Sequence, residues 1–396
     1  MKRSIYLDHA ATTALHPDAL EAMLPYLTER FGNPSGDYAL ARQAARALDE
    51  SRSAVAQILG CRPRELVFTA AGTESINLAI KGVAFAQQIA GMGDHIVTTA
   101  VEHHAVLHSC EFLESFGIRT TYVPVDAHGA VDPAAVADAV TDRTVLVSVM
   151  LANNEVGTVN RVAEIAAAVR RRARELRRRV PVHTDAVQAA NALPLDVTAL
   201  GVDLLSLSSH KFYGPKGAGI LHMRSGTPFL SLQSGGGQER QRRAGTQNVP
   251  AIVGTAVALR RAQQEREQYT RVCRRMRDRI IEGVLAAVPG ATLNGHPRDR
   301  LPNNAHFSFE GAESDFMLAE LDRRGIAASA GSACNSNTLE PSHVLVAMGV
   351  PLSRAIAALR LTVGPDNTDD EIDRVLAVLP EVVARSRAAS PTAHAK

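Results

Sequence analysis

Ser208-Ser209-His210-Lys211, followed by Tyr213-Gly214-Pro215-Lys216-Gly217, comes directly after an apolar run that reads as a buried strand at Asp203–Ser206. The chain holds only five lysines, Lys2, Lys81, Lys211, Lys216 and Lys396, against a background of arginine. Lysine offers a chemistry that arginine does not: its amine can shed a proton and condense with an aldehyde. The hydroxyl and imidazole just upstream suit a phosphate. Pyridoxal phosphate (PLP) carries both an aldehyde and a phosphate, and these residues fit PLP held covalently on Lys211. On this stretch alone, a surface-loop lysine behind a buried strand reads equally well.

Working outward, apolar β-rich runs alternate with helical patterns from about residue 65 to 225. The expected strands are Glu65–Thr69, His95–Thr99, Arg119–Val123, Thr144–Leu151, Val180–Thr184, Asp203–Ser206 and Gly219–Met223. Helical patterns such as Val162–Arg179 lie between most of them. Such alternation predicts an α/β fold, a mostly parallel seven-stranded sheet with helices on both faces. Ligands of these sheets bind beyond the carboxyl ends of the strands.

After Gly237 the pattern changes. Val249–Val288 reads as one long helix or two in succession, followed by shorter strands and helices and a final helix from Thr368. The expected organisation is a large domain over 15–260 and a smaller α+β domain built from 1–14 and 261–388. The small, polar stretch 389–396 reads as a disordered tail.

The net charge of +2 gives no reason to expect direct nucleic-acid binding. No run is apolar enough to span a bilayer, and Met1-Lys2-Arg3 leads into Ile5-Tyr6-Leu7-Asp8 without the apolar core of a signal peptide. A cytoplasmic chain with no membrane partner is expected. Cys61, Cys110, Cys273 and Cys334 form no C-x-x-C pair, so neither a metal site nor a dithiol redox site is indicated. The seven arginines of Arg170–Arg179 read as the solvated end of a helix, where cations suit the C-terminal dipole, rather than as a patch for an acidic partner.

Further polar groups fall at the ends of the expected strands. Gly72-Thr73-Glu74-Ser75 opens a helix, and its glycine, hydroxyls and free N–H groups suit a phosphate cup, although Gly-Thr-Glu reads as an ordinary N-cap as well. Asp185, in Asp185-Ala186-Val187-Gln188, can hold a pyridine nitrogen protonated, and Gln188 can reach the ring hydroxyl. Capping of the next helix is the other reading of Asp185. Glu102-His103-His104 offers an imidazole to stack on a ring and move protons. Asn153-Asn154-Glu155-Val156-Gly157 offers amides to a ring oxygen or a substrate carboxylate.

Taken in order with Ala330-Gly331-Ser332-Ala333-Cys334, these motifs resemble the PLP-dependent cysteine desulfurases of the NifS/IscS family, in the class-V aminotransferases. The resemblance runs from Tyr6-Leu7-Asp8-His9-Ala10-Ala11-Thr12-Thr13 to Asp370-Glu371-Ile372-Asp373. It implies the type I PLP-dependent aminotransferase fold and a homodimer. It implies that Thr73, Ser208 and His210 hold the phosphate, together with Thr246 of the partner subunit. Asp185 and Gln188 would hold the ring, His103 would stack on it, and Lys211 would bind it covalently. Asn154 and Arg360 would hold the carboxylate of L-cysteine. An arginine fork suits a carboxylate, and Arg360 lies in an otherwise apolar run where a charge needs a partner.

Gly331-Ser332-Ala333-Cys334-Asn335-Ser336-Asn337 is small and polar, so a mobile loop with an exposed, reactive thiol is expected. Its Gly-Ser-Ala-Cys form resembles the family branch with a long cysteine loop. The implied chemistry converts L-cysteine to L-alanine. L-cysteine displaces Lys211 from PLP, Lys211 takes the α-proton, and Cys334 attacks the substrate sulfur and keeps it as a persulfide. His103 exchanges protons in the thiol steps. An acceptor protein, an iron–sulfur scaffold or a thiolation protein, would then dock near the Cys334 loop. Selenocysteine lyase, another PLP reaction on this fold, and a sulfur-trafficking subunit with little turnover are the competing readings. Two departures stand out: Tyr38 occupies the place of a family histidine after Asn33-Pro34-Ser35, and Arg243-Ala244-Gly245-Thr246 replaces Arg-Ser-Gly-Thr.

Overall fold

The computed structural model describes residues 4–331 and 341–389. Cys334 and the stretch 390–396 of the expected tail lie outside these residues. The strands, in chain order, are β1 (Ile5–Tyr6), β2 (Leu66–Thr69), β3 (His95–Thr99), β4 (Arg119–Val123), β5 (Thr144–Ser148) and β6 (Val182–Asp185). They continue with β7 (Leu204–Ser208), β8 (Gly219–Met223), β9 (Ala291–Asn294), β10 (Asn304–Phe309), β11 (Ile326–Ala327) and β12 (Ala358–Thr362).

Seven strands form one sheet in the order β2-β8-β7-β6-β5-β3-β4. From β7 to β4 all neighbours are parallel, while β8 runs against both β7 and β2. The expected mostly parallel sheet is therefore what forms. Its central strands are buried along their whole length, which is why they read as continuous apolar runs. Successive side chains point to opposite faces. Ile96 and Leu204 pack with Ile76, Ile80 and Val83 of the helix Gly72–Ile89 on one side. Val97 and Leu205 join the core on the other. The strand expected to reach Leu151 stops at Ser148, because the chain turns at Asn153, whose Oδ1 accepts the N–H groups of Glu155 and Val156 at 2.9 Å each.

A second core gathers Phe307, Phe309, Leu359 and Leu361 of the antiparallel sheet β12-β10-β9. Met276, Ile280, Ile372 and Leu379 close it from two helices, and Ile5 and Leu7 reach it from the N-terminus. The long helical stretch is two helices, Val249–Gln264 and Arg266–Ala287. The first carries Ile252 and Leu259 into the large core, and the second belongs to the smaller one. They meet at Glu265, so we propose that the domain boundary lies there rather than at 260/261, inside a helix. The final helix, Asp369–Ala389, takes in Ala389, expected in the tail. Its buried face runs through Val382, Val383 and Ser386, and the helix continues past them to the exposed Ala388 and Ala389. The arginine run fastens a helix end to its surroundings: Arg170 donates to Gly201 O, Arg172 to Val140 O and Arg178 to Met92 O.

The outer edge at β2 is closed by a hook. Glu239, Arg240 and Gln241 have φ of 45°, 56° and 66°, a left-handed run that costs non-glycine residues about 1–2 kcal/mol each. The hook brings Glu239 Oε2 to the Phe68 N–H at 3.0 Å and Oε1 to Arg52 Nη2 at 2.7 Å, both buried. Removing one partner of a buried pair strands the other charge. Glu239→Ala should therefore lower the unfolding free energy by about 3–5 kcal/mol in urea titrations. A loss below about 1 kcal/mol would show that the pair is dispensable.

Candidate active site

The carboxyl ends of β3, β5, β6 and β7 open into a cavity of about 280 Å³. Asp185, Gln188, Ser208, His210 and Lys211 reach it from the ends of β6 and β7. His103 and Asn154 enter past β3 and β5, Thr73 from the start of the helix after β2, and Arg360 from β12 of the smaller core. Thr246 is not part of its wall.

Lys211 follows β7 on a single 3-10 turn, Ser209–Lys211. Its Nζ donates to the main-chain oxygens of Ala10 and Ala11 at 2.6 and 2.8 Å. The N-terminal segment thus straps across the amine. Thr13 N and Oγ1 both donate to His210 O, and Gln188 Nε2 donates to Ala10 O at 3.0 Å. Tyr213, at φ 63°, turns the chain away behind the lysine, and its N–H donates to Thr13 Oγ1 at 2.8 Å.

The residues present fit PLP. A Cβ on Gly72 would stand 2.9 Å from Ser208 Cβ and 3.0 Å from Val187 Cγ2, so only glycine lets the helix start come this close to β7. The first N–H groups of that helix have no intrahelical acceptor, and Gly72 and Thr73 at its start line the same hollow as Ser208 and His210. Asp185 is buried, and no helix follows directly for it to cap: among the described residues its Oδ1 accepts the Val187 N–H of a turn, at 2.9 Å. Burial pushes its carboxyl up to about 6, against the pull of the Val187 N–H and Lys211. A cation such as a protonated ring nitrogen would relieve that burial.

His103 caps the helix His104–Glu114 by accepting the Ala105 N–H on Nδ1 at 3.0 Å. The neutral ring therefore carries its proton on Nε2. Burial, then Lys211 and the neighbouring imidazoles of His104, His343 and His108, push His103 down to about 4. His104 stacks on His108 and lies tilted against His343, with ring centroids 4.8 and 4.6 Å away.

Arg360 is 2% exposed, and the partner its charge required is Asp8, on Nη2 at 2.9 Å. Nη1 donates to Asn154 O at 2.8 Å and Gly331 O at 2.6 Å. Nε has no partner among the described residues, which leaves a buried donor at the cavity wall. Sequence reasoning missed Asp8, although it stands within the quoted Tyr6–Thr13 motif. It also left out His104 and His343, whose only signal was the repetition of histidine.

A base held neutral by burial loses stability as pH falls, because the unfolded chain takes up the proton first. His103 should add to acid lability between pH 6.5 and about 4. Ring-proton NMR, with the His103 signal assigned from His103→Gln, should show titration near the lower value. A midpoint at 6.5 or above would contradict the burial.

Residues 5–375 match the family described as aminotransferase class-V. A protein named cysteine desulfurase IscS from Methanosarcina thermophila is 48% identical over 389 residues, 98% of this chain and 94% of that one. A solved NifS-like protein superposes with a TM-score of 0.90 at 36% identity, covering 96% of this chain and 100% of its own. A structure titled SspA in complex with cysteine gives 0.78 at 34% identity, over 92% and 100%. With its cavity built on the strand ends of a type I fold, the chain belongs to the class-V aminotransferase family.

Proposed function

We infer that the chain is a PLP-dependent cysteine desulfurase that converts L-cysteine to L-alanine. The convergence on one cavity of Lys211, the buried Asp185 carboxyl and Arg360, whose Nε–H has no partner among the described residues, carries the reading. It stands beside near full-length similarity to a named cysteine desulfurase. When bound, PLP supplies the electron sink that makes the α-proton of cysteine removable.

The chain's own residues supply the rest. Thr73, Ser208 and His210 hold the phosphate, with Thr246 of the partner subunit. Asp185 and Gln188 hold the ring, and His103 lies against it. Arg360 and Asn154 orient the substrate carboxylate. Lys211 binds the cofactor and moves the α-proton at Nζ. His103 offers its Nε2 proton to the thiol steps. Cys334 attacks as a thiolate: a bond forms between its Sγ and the substrate sulfur while the substrate Cβ–S bond breaks. The electron pair goes to Cβ, whose protonation gives alanine, and the persulfide stays on Cys334. Cys110 and Cys273 are unsuited to this step, since burial pushes each thiol up to about 12.

The chain acts as a homodimer. Leu20, Leu24 and Leu27 of the helix Pro17–Thr28, with Phe31 beyond it, are exposed, and this apolar patch supports a second copy as its cover. The sulfur passes in the cytoplasm to an acceptor protein, an iron–sulfur scaffold or a thiolation protein, docked near Cys334. Among the described residues no helix is long and apolar enough to cross a membrane.

Borohydride reduction of the yellow protein followed by peptide mapping should label Lys211; a label on Lys81 or Lys216 would refute the assignment. Cys334→Ser should still change the cofactor spectrum on adding L-cysteine, yet release almost no alanine. Alanine at the wild-type rate from that variant, without added thiol, would mean direct elimination of sulfide and a lyase instead.

A further inference from the structure

Glu102 is wholly buried between the ends of β3 and β5, behind the cavity wall rather than in it. Its Oε1 accepts Thr99 Oγ1 at 2.8 Å and the Met150 N–H at 2.9 Å. Its Oε2 is buried with no partner among the described residues. Its main-chain oxygen meets His343 Nε2 at 2.9 Å, and the next residue is His103, which caps the helix His104–Glu114. One residue thus ties β3, the end of β5 and the His343 segment together beneath the cavity.

Among the described residues, no cationic group pairs with its carboxyl. Asp185 faces it from β6 and Cys110 from the helix His104–Glu114. His343 touches its main chain, and His103 adjoins it with its imidazole held neutral. A carboxylate with a bare buried oxygen beside a second acid is strongly disfavoured. A carboxylic acid fits: the oxygen that accepts both hydrogen bonds is the carbonyl, and the other carries the proton. We propose that Glu102 is a positioning residue that works as an un-ionised carboxylic acid, bracing His103 and the end of β5 while keeping a second negative charge away from Asp185. Burial, which pushes this carboxyl up to about 8, agrees with the geometry. The inference rests on the desulfurase reading only in giving Asp185 the single negative charge that faces the cofactor.

The test is thermal melting of wild-type and Glu102→Gln proteins, both freed of PLP, from pH 5 to pH 9. An acid whose folded pKa exceeds its unfolded value loses stability as pH rises between the two, because the unfolded chain sheds the proton that the fold retains. The amide does not titrate. The melting temperature of the variant relative to wild type should therefore rise by several degrees from pH 5 to about pH 8 and then level off. A difference that stays constant over that range would mean an ordinary ionised carboxylate and would overturn the proposal. Should the variant not fold, infrared difference spectra of the wild-type protein decide: the carbonyl stretch of an un-ionised carboxyl must be present at pH 7 and lost by pH 10. Its absence at pH 7 overturns the proposal equally. Both measurements are made without PLP, so a failed desulfurase assignment would leave their result standing.

Discussion

The buried charge of Arg360 is the constraint on which the rest of the site depends. A guanidinium on an interior strand must be compensated, and no single element supplies the whole compensation. Asp8 comes from the N-terminus, Asn154 O from the turn after β5, and Gly331 O from the segment after β11. Meeting those demands brings the two cores together at one place. Asp8 then fixes the path of the next residues, helped by Tyr6 Oη on Asp8 O and Thr12 O and by the Ala10 N–H on Thr362 Oγ1. That path is what sets the Ala10 and Ala11 oxygens against Lys211. The position of the amine at the end of β7 follows from a charge on a strand of the other core.

The electrostatics of the cavity follow a single trend. Burial pushes the acids Glu102 and Asp185 upward and the bases His103 and His210 downward, so each is moved toward its neutral form. Arg360 brings a guanidinium, a fixed cation, to the same wall. The wall is therefore weakly solvated and biased toward positive charge. A phosphate at one end and a carboxylate at the other are the groups such a wall accepts best.

The large sheet was legible because its parallel strands are covered on both faces and so appear as apolar runs, with the polar residues of interest at their ends. Thr144–Ser148 and Leu204–Ser208 show the pattern plainly. A strand was legible at Ile326–Ser329, but its pairing with Ile5–Tyr6 was not, since two residues carry no period and a partner that far along the chain leaves no local signal. Ala291–Asn294 was missed for a related reason: it is short, and most of it is only half buried. The motifs that line the cavity were visible as residue types, but the partners of those residues were not. Asp8 and Arg360 are separated by nearly the whole chain, and the acceptor role of Glu102 needs Thr99 and Met150 from two different strand ends.

The left-handed hook at Glu239 bears on how the protein stays dispersed. An uncovered sheet edge is a template on which another chain can add a strand. At β2 the Phe68 N–H that would receive such a strand is already taken by a carboxylate. At the opposite edge, β4 presents an exposed Arg119, together with Thr121 and Tyr122, to solvent. The two margins of the sheet are thus protected by unrelated means, a buried anion on one and a hydrated, charged strand on the other. Both devices work against growth of the sheet from molecule to molecule, whatever face the copies use to associate.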